Sequence, residues 1–192
     1  MSKVKLKEIA SIRTGYAFRG KVERDLGGTV GVIQMKDIDN YNRLDLNDMY
    51  KVQIEDLDKW HLLRRNDILF RSRGVSNTAA LVEREVGQTV ASAPLTVIRV
   101  KSRQANPAYV TWYINQPQGQ EQVKRLSEGT SLLMVSKSAL ETLEIDLPPL
   151  DKQRAIVEVA ALSQREQQLI DELGRKRKAF VDGILMRQAK AE

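Results

Sequence analysis

The sequence contains no cysteine. That absence excludes disulfides and thiolate metal sites, and it fits a reducing compartment. No apolar run approaches the roughly 18 residues of a membrane span, which argues against a spanning protein. The opening residues, MSKVKLKEIA, lack the apolar stretch of a signal peptide and read as cytoplasmic. Phosphate-cradling P-loop spacing is missing too. A base-modifying methyltransferase would need a glycine-rich cofactor loop after a strand and an Asn- or Asp-Pro-Pro-aromatic motif. The only Pro-Pro pair, Leu147-Pro148-Pro149-Leu150, lacks that context. His61 is the only histidine, and Trp60-His61-Leu62-Leu63 reads as a packing segment without a nucleophile nearby. Neither Ser131 nor Ser136 sits in a nucleophile elbow. Asp37 and Asp39 are the nearest approach to a nuclease metal site, but their surroundings suit turn capping better. No convincing active site remains, and no metal site is expected.

What is present describes an ordered protein with a basic lean. Hydrophobic residues make up 42% and charged residues 29%, which argues against disorder. The formal net charge is +6, compatible with a phosphate-bearing partner but not diagnostic of one. Its distribution says more. Between 59 and 75 lie Lys59, Arg64, Arg65, Arg71 and Arg73 against the single acid Asp67.

Patterning divides the chain at Pro148-Pro149. Before it, short apolar runs alternate with turn residues. Val4, Leu6 and Ile9 suggest a short opening helix or turn. Val30–Met35 predicts a buried strand. Ile68–Arg73 and Thr78–Glu83 predict a hairpin across Gly74-Val75-Ser76-Asn77. Pro94–Val100 predicts another strand, Asn106-Pro107 an N-cap and first helical turn, and Gly119–Leu126 a second helix. This mixture is an α+β domain over 1–148. Over 149–192, with Asp151 as N-cap, the apolar residues Ile156, Val159, Leu162, Leu169, Ile170, Leu173, Phe180 and Ile184 recur at helical spacing. Such a one-sided stripe, reaching about Ala189, requires a partner helix.

Binding chemistry is better supported than catalysis. In Arg71–Thr78, arginine can read guanine, and asparagine can read adenine, when held at a major-groove edge. Arg71, Arg73, Ser76, Asn77 and Thr78 are therefore candidate DNA contacts, although an ordinary solvated turn has the same composition. Tyr16 and Arg19 in the Gly15–Gly20 loop, and Lys36 beyond it, are further candidates. The aromatics of that loop serve equally as core anchors. Thr130 and Ser131, after Glu128-Gly129, could offer hydroxyls and amides to phosphate or simply join two elements. The run Arg175-Lys176-Arg177-Lys178 reads first as a solvated helix face.

Taken in order, these segments resemble the specificity subunits of type I restriction–modification systems, over nearly the whole chain. The opening Leu6-Lys7-Glu8-Ile9-Ala10 with Gly15-Tyr16 is similar to the start of the family's target recognition domain. Asn66-Asp67-Ile68-Leu69, leading to Arg73-Gly74, resembles its "GDIL…RG" segment, with Asn66 in place of the common glycine. Ala93–Arg99 takes the place of a later core strand. Glu128-Gly129-Thr130-Ser131 followed by Leu143–Val157 resembles the passage "G(S/T)…I.LPPL.EQ..IV", with Asp151-Lys152 a mild departure.

The resemblance implies a non-catalytic subunit that reads double-stranded DNA in the cytoplasm. Full-length members carry two recognition domains and two long helices paired as an antiparallel coiled coil. This chain, with one of each, is expected to be a half-length form. Two copies, or this chain and another half-subunit, would pair through 151–189. Methyltransferase subunits would dock on the assembly, and a restriction subunit would supply cleavage. S-adenosylmethionine and ATP are expected on those partners, with no cofactor here. A homodimeric DNA-binding regulator, or a scaffold that binds no DNA, remains an alternative on the residues alone.

Overall fold

In a computed structural model, residues 2–129 and 132–190 are described. The chain opens with strand β1 (Ser2–Lys5), the single-turn helix α1 (Leu6–Ile9) and strand β2 (Ala10–Thr14). The expected opening helix is therefore one turn flanked by strands. Four residues are too few for a helical stripe, and Leu6 and Ile9 are simply the buried pair of that turn. After the loop come β3 (Val30–Ile33) and β4 (Tyr50–Val52). The predicted hairpin appears as β5 (Asp67–Arg71), a two-residue strand β6 (Arg73–Gly74) inside its turn, and β7 (Ala79–Leu81). Next are β8 (Thr89–Ala91), β9 (Leu95–Val100), α2 (Pro107–Asn115) and α3 (Pro117–Leu126). The strand β10 (Leu133–Met134), helix α4 (Lys137–Glu141) and strand β11 (Glu144–Leu147) lead into α5 (Leu150–Lys190).

Local chemistry explains most of these boundaries. Asn106 caps α2 by accepting from the Ala108 amide at 2.9 Å, and Pro107 occupies the first turn, where a missing N–H costs nothing. α3 starts two residues earlier than Gly119 because Pro117 opens it in the same way. Asp151 is not the N-cap of α5. The helix already includes Leu150, and the Pro149 carbonyl accepts from the Gln153 amide at 3.1 Å. Asn66, where the resemblance expected glycine, has φ of 71°. Asparagine is the residue that tolerates this left-handed conformation nearly as well as glycine.

The central sheet has the order β2-β9-β5-β7 and is antiparallel throughout. A second sheet, β4-β3-β8, pairs β3 with β8 in parallel. β3 is buried on both faces, as a continuous apolar run requires. Its Val30 and Val32 pack with Val90, whereas Ile33 joins Leu69, Leu95 and Val97 in the larger core. The open edge at β7 is blunted by one side chain. Asn115 accepts from the Ala79 N–H at 2.9 Å and donates to its C=O at 2.8 Å, as a neighbouring strand would. β1 pairs with β11, the strand immediately before the Pro-Pro step.

Two compact units result, Met1–Arg154 and Ala155–Glu192. The first turn of α5 therefore belongs to the first unit, and Gln153 explains why. It is 0% exposed, yet all its bonding groups are used. Its Oε1 accepts from the Asn106 amide at 2.8 Å, and its Nε2 donates to the carbonyls of Gln104 at 2.8 Å and Pro148 at 2.7 Å. Gln153→Leu keeps the volume and strands all three backbone partners in a dry site. It should lower the unfolding free energy by about 2–3 kcal/mol, read as a lower urea midpoint at unchanged slope.

Candidate nucleic-acid interface

The hairpin turn is built around Arg71. Its amide bonds the Thr78 carbonyl at 2.9 Å, closing the ladder between β5 and β7. Its guanidinium donates to Thr78 Oγ1 at 3.1 Å and to the Ile38 carbonyl at 2.5 Å. Burial holds its pKa below the usual arginine value. Asn77 is only 3% exposed, and its amide nitrogen donates to the Arg71 carbonyl at 2.8 Å. Thr78 is half-buried. Three of the five turn candidates therefore hold the turn's shape, while Arg73 and Ser76 are exposed. Gly74 has φ of +145°, a conformation that side chains rarely adopt.

A second segment, distant in sequence, is fastened to this turn. β10 runs antiparallel to β6, with Leu133 opposite Gly74 and Met134 opposite Arg73. The Val135 amide donates to the Ser72 carbonyl at 2.9 Å. Glu128 and Met134 exchange both backbone bonds at 2.9 Å, so Glu128 lies on the far side of Met134 from Arg73. Ser72 is in turn tied to the Pro94 carbonyl through its hydroxyl and amide. The structure thus joins the Arg71–Thr78 turn to the 128–135 segment. Thr130 and Ser131 lie outside the described residues.

The Gly15–Gly20 loop is anchored at its aromatic. Tyr16 bridges Ser92, its amide donating to the Ala91 carbonyl at 2.6 Å. Its ring centroid lies 4.8 Å from Phe18 and 5.1 Å from His61. Gly15 is required beside it, since a Cβ there would stand 2.6 Å from the Ala91 carbonyl oxygen. Arg19 is exposed beyond this anchor. Trp60, 48% exposed, stacks on His61 at 4.3 Å and lies under Arg13 at 5.7 Å. Arg13, Tyr16, Trp60, His61 and Lys137 line one shallow groove of roughly 530 Å³. Burial, with Arg13 close by, lowers the His61 pKa. Sequence reading passed over Arg13 and Lys137, because nothing local signals their meeting.

The remaining candidates have plain surroundings. Lys36 is exposed with its ammonium 3.4 Å from the centroid of Tyr50, a cation–π contact. Asp37 closes its turn by accepting from the Gln34 amide at 2.7 Å, and burial raises its pKa. Asp39 accepts from the amides of Tyr41 and Arg43, both at 2.8 Å. Both acids therefore cap turns. Lys59, Arg64 and Arg65 are exposed. Among the described residues, no group of three or more His, Asp and Glu could hold a metal ion. Among the same residues, no helix is long and apolar enough to cross a membrane.

In the second unit, the helix displays its stripe to solvent. Val159 is 67% exposed, Leu162 72%, Leu173 68% and Phe180 69%, far more than apolar side chains of a finished surface should be. Leu169, Ile170 and Ile184 are exposed with them, and Ile156 is half-buried. Val181, Leu185 and Met186 widen the exposed apolar surface near its end.

Comparison with known proteins fits this geometry. The family model described as the type I restriction modification DNA specificity domain matches residues 1–174. No curated protein matches the chain. The fold is similar to the type I restriction-modification S subunit of M. genitalium, with a TM-score of 0.62 at 14% identity over 92% of this chain and 42% of that one. It is similar to the HsdS subunit of Thermoanaerobacter tengcongensis, with a TM-score of 0.59 at 18% identity over 100% of this chain and 40% of that one. A chain solved in work on complex assembly and conformational transition of the type I R-M system gives 0.65 at 18% identity, over 97% of this chain and 43% of that one. At such identities the likeness is one of fold. The chain spans about two fifths of the length of each of these structures.

Proposed function

Because the chain belongs to the type I restriction–modification DNA specificity family, we propose that it reads one part of a bipartite DNA target and directs partner subunits to it. The observation that carries this reading is the joining of two remote segments, the Arg71–Thr78 turn and β10 with Glu128 beside it, with Arg73 exposed where they meet. Rigid elements beneath these loops preset their shape, as base reading needs. Arg19, Lys36, Ser76, Thr130 and Ser131 complete the proposed contact set. Tyr16, Arg71, Asn77 and Thr78 shape the surface from within.

The exposed stripe of α5 supports a second part of the proposal. Two copies, or this chain and another half-subunit, pair through 151–189 as an antiparallel coiled coil. Methyltransferase subunits dock on that assembly and carry S-adenosylmethionine. A restriction subunit, where one is encoded, carries ATP and the cutting step. This chain holds no cofactor and works in the cytoplasm. Mapping methylated sites in cells carrying this gene with its methyltransferase tests the reading directly. The expected outcome is one defined motif that disappears when the gene is deleted.

DNA affinity of the isolated chain should be weak and strongly salt-dependent. Each phosphate neutralised contributes about 0.9 to the slope of log K against log salt. Titration of a labelled duplex across salt concentrations measures it. A flat response would refute phosphate contact and favour the scaffold alternative.

A further inference from the structure

The ribbon formed by β6 and β10 carries an unusual set of exposed side chains. Arg73 and Met134 are direct cross-strand partners, so they stand on the same face. Glu128 is the cross-strand partner of Met134 on its other side and therefore joins that face. The row reads cation, thioether, acid. The ribbon is also apolar at its free end, with Val75 88%, Leu132 52% and Met134 48% exposed. Apolar groups in such numbers are a liability on a surface meant only for water or phosphate. Glu128 is likewise out of place against a phosphate backbone, which would repel it. All three chemistries suit base edges instead. Arginine pairs with guanine O6 and N7, a carboxylate accepts from the cytosine N4 amino group, and apolar side chains pack on the thymine methyl.

We infer that this ribbon enters the major groove and is the base-reading element, with Arg73 on a guanine, Glu128 on a cytosine and the Met134–Leu132–Val75 surface on thymine methyls. The inference rests on the DNA-reading function proposed above. The β6–β10 pair fits a groove about 12 Å wide, which admits a two-stranded ribbon, and Glu128 lies along one margin of that pair. Arg73 and Glu128 are two strand spacings apart, roughly 10 Å. At that spacing the two side chains reach different bases. Charge agrees with the placement. Lys124 and Arg125 end α3 just before the ribbon segment, and Lys137 opens α4 just after it, all exposed. Arg125 and Lys137 make long surface ion pairs, 3.5 Å to Glu121 and 3.7 Å to Glu141, which are weak enough to yield to phosphates.

The test is selection of bound duplexes from a random-sequence library at low salt. It uses the 192-residue chain and the variants Arg73→Ala, Glu128→Gln and Arg84→Ala. These side chains are exposed, so melting curves should coincide with wild type. Arg73→Ala should cut the preference for guanine at one position about ten- to a hundredfold. Glu128→Gln should move a different position from cytosine towards adenine, the base whose edge an amide matches. Arg84→Ala, outside the ribbon, should select the wild-type motif. Uracil in place of thymine in the selected duplex should weaken wild type but not the double variant Leu132→Ala with Met134→Ala. A selected motif without thymine overturns the methyl assignment. A wild-type motif retained by either Arg73→Ala or Glu128→Gln overturns the inference while the DNA-reading function stands. A wild-type chain that selects no motif overturns the function itself.

Discussion

Asp67→Ala should destabilise the recognition unit by about 3 kcal/mol, as the breaking of a buried ion pair does. Asp67 is 1% exposed and accepts from Arg99 twice, Nε to Oδ1 and Nη2 to Oδ2, each at 2.6 Å. Its Oδ2 also accepts from the Arg64 amide at 2.9 Å. Arg99 in turn donates to the Leu62 carbonyl at 3.0 Å, so one ion pair ties the 62–67 loop to the middle of the sheet. Removing the carboxylate leaves a half-buried guanidinium without its counter-ion. Asp67→Asn should cost less, since an amide oxygen can still accept from Arg64. The double replacement with Arg99→Ala should cost less than the sum of the single ones, because the second change removes the stranded charge. Urea midpoints for wild type and the four variants measure all of this. Equal costs for Asp67→Ala and Asp67→Asn would show that charge is not what the site needs.

The second large effect lies in the helix. Leu173→Asp combined with Phe180→Asp should abolish pairing and directed methylation together. Both side chains are exposed in the single chain, 68% and 69%, so nothing within the chain depends on them. In a seam they would become buried carboxylates, each costing several kcal/mol without a partner. Sedimentation should show wild type as a pair and the variant as a single chain. The melting temperature of the recognition unit should stay where it was, because its core lies before Arg154. A two-fold pair presents identical readers in opposite orientations. The methylated site should then be an interrupted palindrome, with a spacer set by the helix length. An asymmetric site would identify pairing with a different half-subunit. A single wild-type chain that still directs methylation would defeat the pairing proposal.

Elements with strong local signals were legible in the sequence. The strand expected over Val30–Met35 forms over Val30–Ile33 and gives way to a 3-10 turn at Met35, while the hairpin of β5 and β7, the cap at Asn106 and the long helix sit where periodicity and turn chemistry put them. Several of the shortest strands were not legible. β1, β4, β8 and β10 are too short to show alternation, and each is fixed by a partner remote in sequence. The same limit applied to the site. Residue types in the Arg71–Thr78 turn pointed to base reading, but type alone cannot tell a group aimed outward from one folded back. Arg71 and Asn77 are folded back. Glu128 and Met134 were not among the candidates from sequence because their chemistry becomes suggestive only once β10 is seen beside Arg73. Gln153 and Asp67 lie in motifs of the family resemblance, yet their structural roles required the partners that only the fold supplies.

The pairing of β1 with β11 bears on how the chain is made. Ser2 lies opposite Leu147, so β1 is synthesised long before its partner, the strand that leads into the long helix. Closing so long a loop is entropically costly and slow. On the ribosome, the recognition unit cannot be completed until residues near 147 have cleared the exit tunnel. During that interval the edge of β1 stays open to wrong partners. The helix follows directly, and its greasy side emerges after that strand. Translation order thus delays the association surface until the strand that completes the sheet has been made.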